Sequence, residues 1–318
     1  MSPVAAPAPS PAAFQPTRGR PSWTSDSTKV AVEVDRGVLV VDRGGQVVDH
    51  LGPSDSWVSN AAFSPDGSKV AYCTYTTPPG QSLPSWGLHV ADVGGTNDRV
   101  LTWHLGWQPA WSPDARQLTF TSDAQNDFTT AVIDPDGGNE HIISKNGAFE
   151  IRHSWNPNGQ EVAYESAHSE DGFGIYAVDK TGTTQREITT HDDFVTDQNP
   201  TWSPDGKQIV FERTSPEGDT ALFLVDAQGG SAKAILGYQK GYHQLDPSWS
   251  PDGQSIAFAS DVHGSMDIYT MHADGSGMKQ ITDAHTQEYN PAWSPDGKSI
   301  AYLTLNEGAP DGYGIAQA

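Results

Sequence analysis

The sequence is short of three things: cysteine, positive charge and long apolar runs. Its single cysteine, Cys73, cannot form an internal disulfide, and the alternating apolar pattern at 70–75 predicts a buried strand residue there, not a reactive thiol. No run approaches the ~20 apolar residues that a membrane-spanning helix needs. Lys and Arg number 18 against 40 Asp and Glu, a formal net charge of −22, which excludes nucleic acid and anionic membranes as main partners.

Two sequence signatures of function are missing as well. The segment Asp134-Pro135-Asp136-Gly137 has neither the spacing nor the terminal glutamate of an EF-hand, so we interpret its acidic residues as turn formers. No Gly-x-Ser-x-Gly motif is present, which argues against a fused α/β-hydrolase peptidase. Glycine (32) and proline (23) are plentiful instead, a composition typical of a turn-rich globular protein.

One motif, Trp-Ser-Pro-Asp-Gly, returns along the whole chain. Its aromatic anchors stand at positions 23, 63, 111, 155, 202, 249 and 293, so that successive steps are 40, 48, 44, 47, 47 and 44 residues. The unit around Trp249 contains four short predicted strands, A to D, at 247–249, 255–260, 267–271 and 279–282. Four-stranded units of about 45 residues without helical periodicity predict an all-β propeller.

Seven anchors predict seven blades of four antiparallel strands. The chain ends where strand C of the seventh unit should end, so we expect residues 12–15 to supply its outer strand and close the ring. The predicted domain is therefore 12–318, preceded by a Pro/Ala-rich tether at 1–11. A six-bladed ring with residues 1–52 as a separate piece is the alternative.

The first twenty residues are rich in Pro and Ala, and they lack the charged and apolar regions of a signal peptide. We interpret them as the tether of an exported protein whose signal has been removed. The expected location is secreted or periplasmic.

The Trp-Ser-Pro-Asp-Gly units, followed by strands such as Ile256-Ala257-Phe258 and Ile268-Tyr269, resemble the TolB and tricorn type of propeller repeat over roughly 21–318. Related propellers include periplasmic TolB, which binds protein partners, the gating propellers of tricorn and prolyl oligopeptidase-type peptidases, and metal-dependent oligogalacturonate lyases. TolB has a further N-terminal α/β domain without a counterpart in this sequence, so the resemblance does not imply a role in the Tol system.

A polar residue precedes each anchor by three positions, where strand A comes in from the loop-rich end. Sevenfold repetition should gather these side chains around the mouth of the central channel, as a ligand-binding ring or as caps that bond backbone groups. Two positions before the anchor, five blades have Pro, whereas the fourth has His153, which adds a titratable group beside Arg152. The polar ring consists of Arg20, Asn60, Gln108, Arg152, Asn199, Asp246 and Asn290.

Seven of the eleven histidines map to the loop-rich end of the propeller, where several from adjacent blades could hold one divalent metal ion. No tight spacing of metal ligands supports such a site. The candidate ligands are His153, His191, His243 and His285.

Four tryptophans outside the motif fall between residues 57 and 107, around blades two and three. They predict either a binding surface for sugar rings or partner side chains, or a small satellite core. They are Trp57, Trp86, Trp103 and Trp107.

These observations predict a binding module, a monomer that takes a small molecule, glycan or peptide at the channel mouth. The alternative is an enzyme similar to the propeller lyases, in which a metal acidifies the proton next to a uronate carboxylate, an Arg neutralises that carboxylate and a His or Arg acts as base. Its candidate catalytic residues are Arg152, His153, His243 and Asp246.

Overall fold

The computed structural model describes residues 19–34, 37–53, 56–125, 127–144, 149–168, 172–190, 195–305 and 312–318. Within these ranges every regular element is a β-strand, and the strands form seven antiparallel sheets. The seven-bladed propeller is thus confirmed. The six-bladed alternative is wrong, because residues 22–51 form a complete blade of their own. No helix that could span a membrane is found in the described residues.

Each blade runs from its innermost strand A to its outermost strand D in chain order. Blade 1 contains β1 Ser22–Trp23, β2 Lys29–Val34, β3 Gly37–Asp42 and β4 Val47–Leu51. Blade 2 contains β5 Trp57–Phe63, β6 Lys69–Thr76, β7 Ser85–Asp92 and β8 Arg99–Thr102. Blade 3 contains β9 Trp107–Trp111, β10 Leu118–Ser122, β11 Thr129–Ile133 and β12 His141–Ile142.

Blade 4 contains β13 Glu150–Trp155, β14 Glu161–His168, β15 Gly172–Asp179 and β16 Gln185–Glu187. Blade 5 contains β17 Thr196–Trp202, β18 Gln208–Thr214, β19 Thr220–Asp226 and β20 Lys233–Ala234. Blade 6 contains β21 Gln244–Trp249, β22 Ser255–Ser260, β23 Asp267–His272 and β24 Lys279–Gln280. Blade 7 has three described strands, β25 Gln287–Trp293, β26 Ser299–Leu305 and β27 Gly312–Gln317.

The first and last blades meet and close the ring. The Trp23 indole donates to the Ala292 carbonyl at 3.0 Å, the Tyr313 hydroxyl donates to the Gly45 carbonyl at 2.9 Å, and Arg43 pairs with Asp296 at 2.7 Å. The predicted fourth strand of blade 7, at 12–15, lies outside the described residues and stays a prediction.

The Ser-Pro-Asp-Gly motif forms the hairpin between strands A and B. In blade 5 the Ser203 hydroxyl donates to Asp205 at 2.7 Å, the Asp205 carboxylate accepts the Lys207 N–H at 3.1 Å, and Gly206 has φ of 70°. These hydrogen bonds, with that of Ser203 the strongest, lower the pKa of Asp205 to about 2. The motif aspartates are turn formers, as the sequence predicted.

The anchor tryptophans fasten each blade to the preceding one. Trp202 is buried between blades 4 and 5, and its indole N–H donates to the Ser154 carbonyl at 3.0 Å. The same hydrogen bond recurs at Trp111, Trp155 and Trp249. In each case the indole N–H donates to the carbonyl of the residue that directly precedes the anchor of the preceding blade. Because both the indole ring and its N–H have fixed partners, these residues set the position of each blade relative to the preceding one.

We expect Trp202→Ala to lower the free energy of unfolding by about 3–5 kcal/mol, as large-to-small core substitutions do. Trp202→Phe, which keeps an aromatic ring but loses the N–H bond, should cost less, about 1–2 kcal/mol. Urea unfolding of the parent and both variants measures this. An alanine variant as stable as the parent would contradict a structural role for the anchor.

Candidate functional site

A cavity of about 700 Å³ runs along the centre of the propeller, and residues from all seven blades line it. All seven members of the polar ring line this channel, as do His153, Thr201 and Tyr289. Its volume lies within the range of small-molecule sites, roughly 300–1,000 Å³. The channel is therefore the place where the repeat brings polar side chains from every blade together.

The polar ring lies deeper than the sequence suggested. Asn199, for example, is the fourth residue of β17, and the cavity continues past the ring to Phe63, Pro65 and Trp111 at the hairpin end. The ring thus forms part of the channel wall and not its rim. A ligand that reaches it must enter the channel.

Six of the seven ring residues adopt a left-handed backbone conformation. A register shift in the pairing of strands A and B marks a β-bulge at each of these positions. In four of the six, proline follows and has no N–H to give to the ladder. The φ values are 54° at Asn60, 52° at Gln108, 57° at Arg152, 57° at Asn199, 56° at Asp246 and 53° at Asn290.

The bulge points the ring residue's N–H at the preceding blade. The Asn199 N–H donates to Glu165 at 2.9 Å, the Asp246 N–H to Glu212 at 2.6 Å and the Asn60 N–H to Glu33 at 3.0 Å. In two other blades the preceding ring residue accepts the bond itself, with Gln108 accepting from Arg152 at 2.7 Å and Asp246 from Asn290 at 3.1 Å. The side chains of Gln108 and Asp246 thus bond backbone groups, which was one of the two alternatives for the ring.

The three glutamates that accept these bonds were missed by the sequence analysis. Glu33, Glu165 and Glu212 each stand ten residues after an anchor, within strand B of their blades. The corresponding residue of blade 2 is Cys73, which is fully buried and donates its thiol to the Gly106 carbonyl at 2.8 Å. A glutamate recurring at one repeat position within buried strands was the signal available.

Buried charges of both signs face each other around the channel. Arg152 donates to Glu165 at 3.2 Å, and the Glu165 side chain is completely buried. Burial alone would lower the pKa of Arg152, but the carboxylates of Glu165, Glu212 and Asp246 raise it above its ordinary value. Arg152 is thus held in place by an ion pair, and removing either partner would leave a buried charge without its counterpart.

Glu212 and Asp246 form a close pair of acidic side chains. The Asn199 amide donates to both, at 2.7 Å to Glu212 and 3.0 Å to Asp246. Burial, and then repulsion from Asp246, raises the pKa of Glu212 to about 7, although Arg152 acts in the opposite direction. Glu212 therefore exchanges a proton near neutral pH.

His153 lines the channel, yet it does not supply the pH sensitivity near neutrality that its residue type suggested. Burial lowers its pKa to about 4, so the imidazole is neutral at physiological pH. Its Nδ1 lies 3.5 Å from the Gln108 carbonyl, and its buried Nε2 has no hydrogen-bond partner among the described residues. An unpartnered ring nitrogen in a cavity wall suits a ligand's hydrogen bond.

The other candidate histidines do not join His153. The main-chain N–H of His243 donates to Asp261 at 2.7 Å, and His243 is not part of the channel lining, whereas His285 is exposed. His191 lies outside the described residues. No group of three or more His, Cys, Asp or Glu side chains that could hold a metal is found within the described ranges. The donor set needed for a divalent metal is therefore not assembled there.

Three of the four extra tryptophans, Trp86, Trp103 and Trp107, make ring contacts at blades 2 and 3. Trp86 and Trp107 meet edge to face at 5.8 Å, and Trp107 stacks on Phe128 at 6.2 Å. Trp103 packs edge-on to His89, 6.3 Å away, so closely over Gly87 that a Cβ there would lie 2.6 Å from the indole. Trp107 is buried, while Trp57, Trp86 and Trp103 are half-buried. Trp103 and Trp107 thus fit the satellite core.

Comparison with known proteins identifies the repeat. A family model described as the TolB beta propeller domain matches residues 70–244 and 236–317. The chain belongs to this family. No curated protein matches the sequence.

The TolB-like propeller is similar to solved structures of different activities. An oligogalacturonate lyase from Vibrio parahaemolyticus is 14% identical with a TM-score of 0.71, covering 94% of this chain and 90% of the lyase. TolB from Acinetobacter baumannii is 17% identical with a TM-score of 0.60, covering 91% and 78%. A puromycin-hydrolysing peptidase of Mycobacterium tuberculosis is 13% identical with a TM-score of 0.70, covering 93% and 50%. Such low identities establish a common fold alone.

We expect Glu212→Gln to flatten the pH dependence of stability. The folded pKa of Glu212, about 7, exceeds its ordinary value of 4.5, so the folded state binds this proton more tightly. The free energy of unfolding of the parent should therefore fall by on the order of 3 kcal/mol between these two pH values, and it should level off above about pH 7. Glutamine keeps an oxygen acceptor for the Asp246 N–H, and it does not ionise.

Urea unfolding at several pH values tests this, with the exposed Glu187→Gln as the control. The control should keep the parent profile. If Glu212→Gln also keeps it, Glu212 does not titrate near neutrality in the folded protein.

Proposed function

We propose that this TolB-like propeller is a binding module whose central channel takes a small molecule or one end of a glycan or peptide. The observation that carries the proposal is the channel wall itself, where seven blades bring polar groups to one cavity of about 700 Å³. Two buried polar atoms of that wall, Asn60 Oδ1 and His153 Nε2, have no hydrogen-bond partner among the described residues. Buried polar atoms are normally satisfied, and a ligand in the channel would satisfy these.

The arrangement favours binding over catalysis. Arg152, His153 and Asp246 do share the channel, but Arg152 is paired with Glu165, and the imidazole of His153 is a weak base with a pKa of about 4. His243 stands apart from them, and the described residues provide no metal-ligand cluster. A metal-dependent lyase acting on a uronate would need both a stronger base and that cluster.

We further propose that the protein works as a monomer in the periplasm or outside the cell. Its net charge of −22 disfavours nucleic acid and anionic membranes, and the tether at 1–11 suits an exported chain. The partner is then a free ligand or the accessible end of a larger molecule, because only such shapes fit into a channel.

The test compares two asparagines that share the same left-handed backbone. Asn60→Gly removes the unpartnered Oδ1 and keeps a residue suited to φ of 54°. Asn97→Gly is the control, because Asn97 has an identical φ in an exposed turn, where its amide donates to Asp92. A panel of neutral and acidic oligosaccharides and short peptides would be screened by thermal shift, and hits measured by calorimetry. We expect Asn60→Gly to weaken binding about tenfold and Asn97→Gly to leave it unchanged.

His153→Pro provides a second, independent variant, because proline is the residue of five sister blades at this place. It should melt like the parent and bind more weakly. Ligands that bind the parent, Asn60→Gly and His153→Pro equally well would show that binding takes place outside the channel.

A further inference from the structure

Arg20 reaches across the channel. It precedes β1 in blade 1, yet its Nη2 donates to the Pro247 carbonyl of blade 6 at 2.8 Å and its Nη1 donates to the Thr201 hydroxyl of blade 5 at 3.5 Å. In a ring of seven blades, blade 6 is two places and blade 5 three places from blade 1. The guanidinium therefore sits within the cavity, where a ligand in the channel would touch it.

Arg20 differs from the other inward arginines in its partners. Arg152 pairs with Glu165 and Arg213 with Asp197, each through a carboxylate oxygen at 3.2 Å or less. Both acceptors of Arg20 are neutral, and no carboxylate of the described residues forms an ion pair with it. Burial lowers the pKa of Arg20, and the more distant Asp246 and Glu212 only oppose that shift. Arg20 is half-buried, and a guanidinium that is partly removed from water without a paired anion is costly to keep.

We propose that Arg20 is the binding residue for a carboxylate group on the ligand, which it holds in the channel beside Thr201 and Pro247. This inference rests on the proposed function, because it names the chemical class of the same ligand. The planar guanidinium has five N–H donors in a fork that matches a carboxylate in bidentate fashion. Its two neutral acceptors leave part of that fork available.

The acidic pair nearby gives the site a pH signature. Glu212 on β18 faces Asn199 on β17, Asp246 on β21 and Arg152 on β13, with Arg20 across the cavity and Glu165 behind Arg152. A ligand carboxylate adds a negative charge beside this pair, and it is repelled less when Glu212 is protonated. Because Glu212 has a pKa of about 7, affinity for an acid should rise as the pH falls through neutrality.

The experiment uses probes that differ only in charge. Glucuronate is compared with its methyl ester, and N-acetyl-alanyl-alanine with its C-terminal amide, so that the two arms distinguish a sugar acid from a peptide end. Calorimetry with the full chain would be run at about pH 6 and about pH 8. At least one acid should bind about tenfold more tightly than its neutral counterpart, and more tightly at the lower pH.

Arg20→Gln should abolish the preference for the acid, whereas Arg20→Lys, which keeps the charge but not the fork, should retain part of it. Arg99→Gln is the control, since Arg99 is an exposed arginine that likewise donates to a main-chain carbonyl, that of Pro135. It should bind like the parent. Arg20→Gln should melt no lower than the parent, because the substitution removes a buried charge that lacks a paired anion.

The carboxylate inference is overturned if both acids bind no better than their neutral counterparts, if neither acid binds at all, or if Arg20→Gln keeps the preference. The proposed function is tested separately, by whether Asn60→Gly and His153→Pro lower the affinity for the ligands found in the broader panel. If neutral ligands bind the parent but not those two variants, the channel is a binding site, and only the role of Arg20 in binding a carboxylate is ruled out.

Discussion

The structure depends on a main-chain hydrogen bond that the inner strand of five blades gives to the blade before it. The left-handed bulge in strand A turns the N–H of the ring residue out of its own sheet, and a side chain of the preceding blade accepts it in five observed cases. The acceptor varies. In blades 1, 4 and 5 it is a glutamate of strand B, and in blades 3 and 6 it is the side chain of the ring residue. A buried N–H without an acceptor would be costly, so each blade must present a polar group at this level. The polar channel follows from that requirement.

That requirement also explains the electrostatics of the channel. Three of the acceptors are glutamates in buried strands, and Asp246 adds a fourth carboxylate. Among the described residues that line the channel, only Arg20 and Arg152 bring positive charge. Carboxylates that are buried at close range cannot all ionise without cost. Glu212, which has Asp246 beside it, carries the raised pKa that results. The carboxylates that accept hydrogen bonds between blades therefore include one, Glu212, that titrates near neutral pH.

Much of this fold follows from the sequence, because each blade repeats the same local chemistry. The spacing of the anchors predicted seven blades, and the turn residues around Asp205 form the hairpins expected of them. The polar ring was also predicted, but its left-handed backbone was not, since φ cannot be deduced from a column of Asn, Gln, Arg and Asp. Glu165 was overlooked because its recurrence with Glu33 and Glu212, ten residues after an anchor, shows only when strand B is aligned across the blades. His153 was given an ordinary pKa because its burial depends on neighbours from another blade.

The left-handed bulge has a consequence for how such a channel can change. The bond to the preceding blade comes from the main chain, so at Asn60, Asn199 and Asn290 it does not depend on which side chain is present, provided that the residue tolerates a positive φ. Gln108 and Asp246 are more constrained, because their side chains accept bonds from the next blade. The channel wall thus has a fixed backbone, and several of its side chains can be replaced. Substitutions during divergence of such a family can therefore change the side chains that line the channel, one blade at a time, while the backbone of the propeller stays the same.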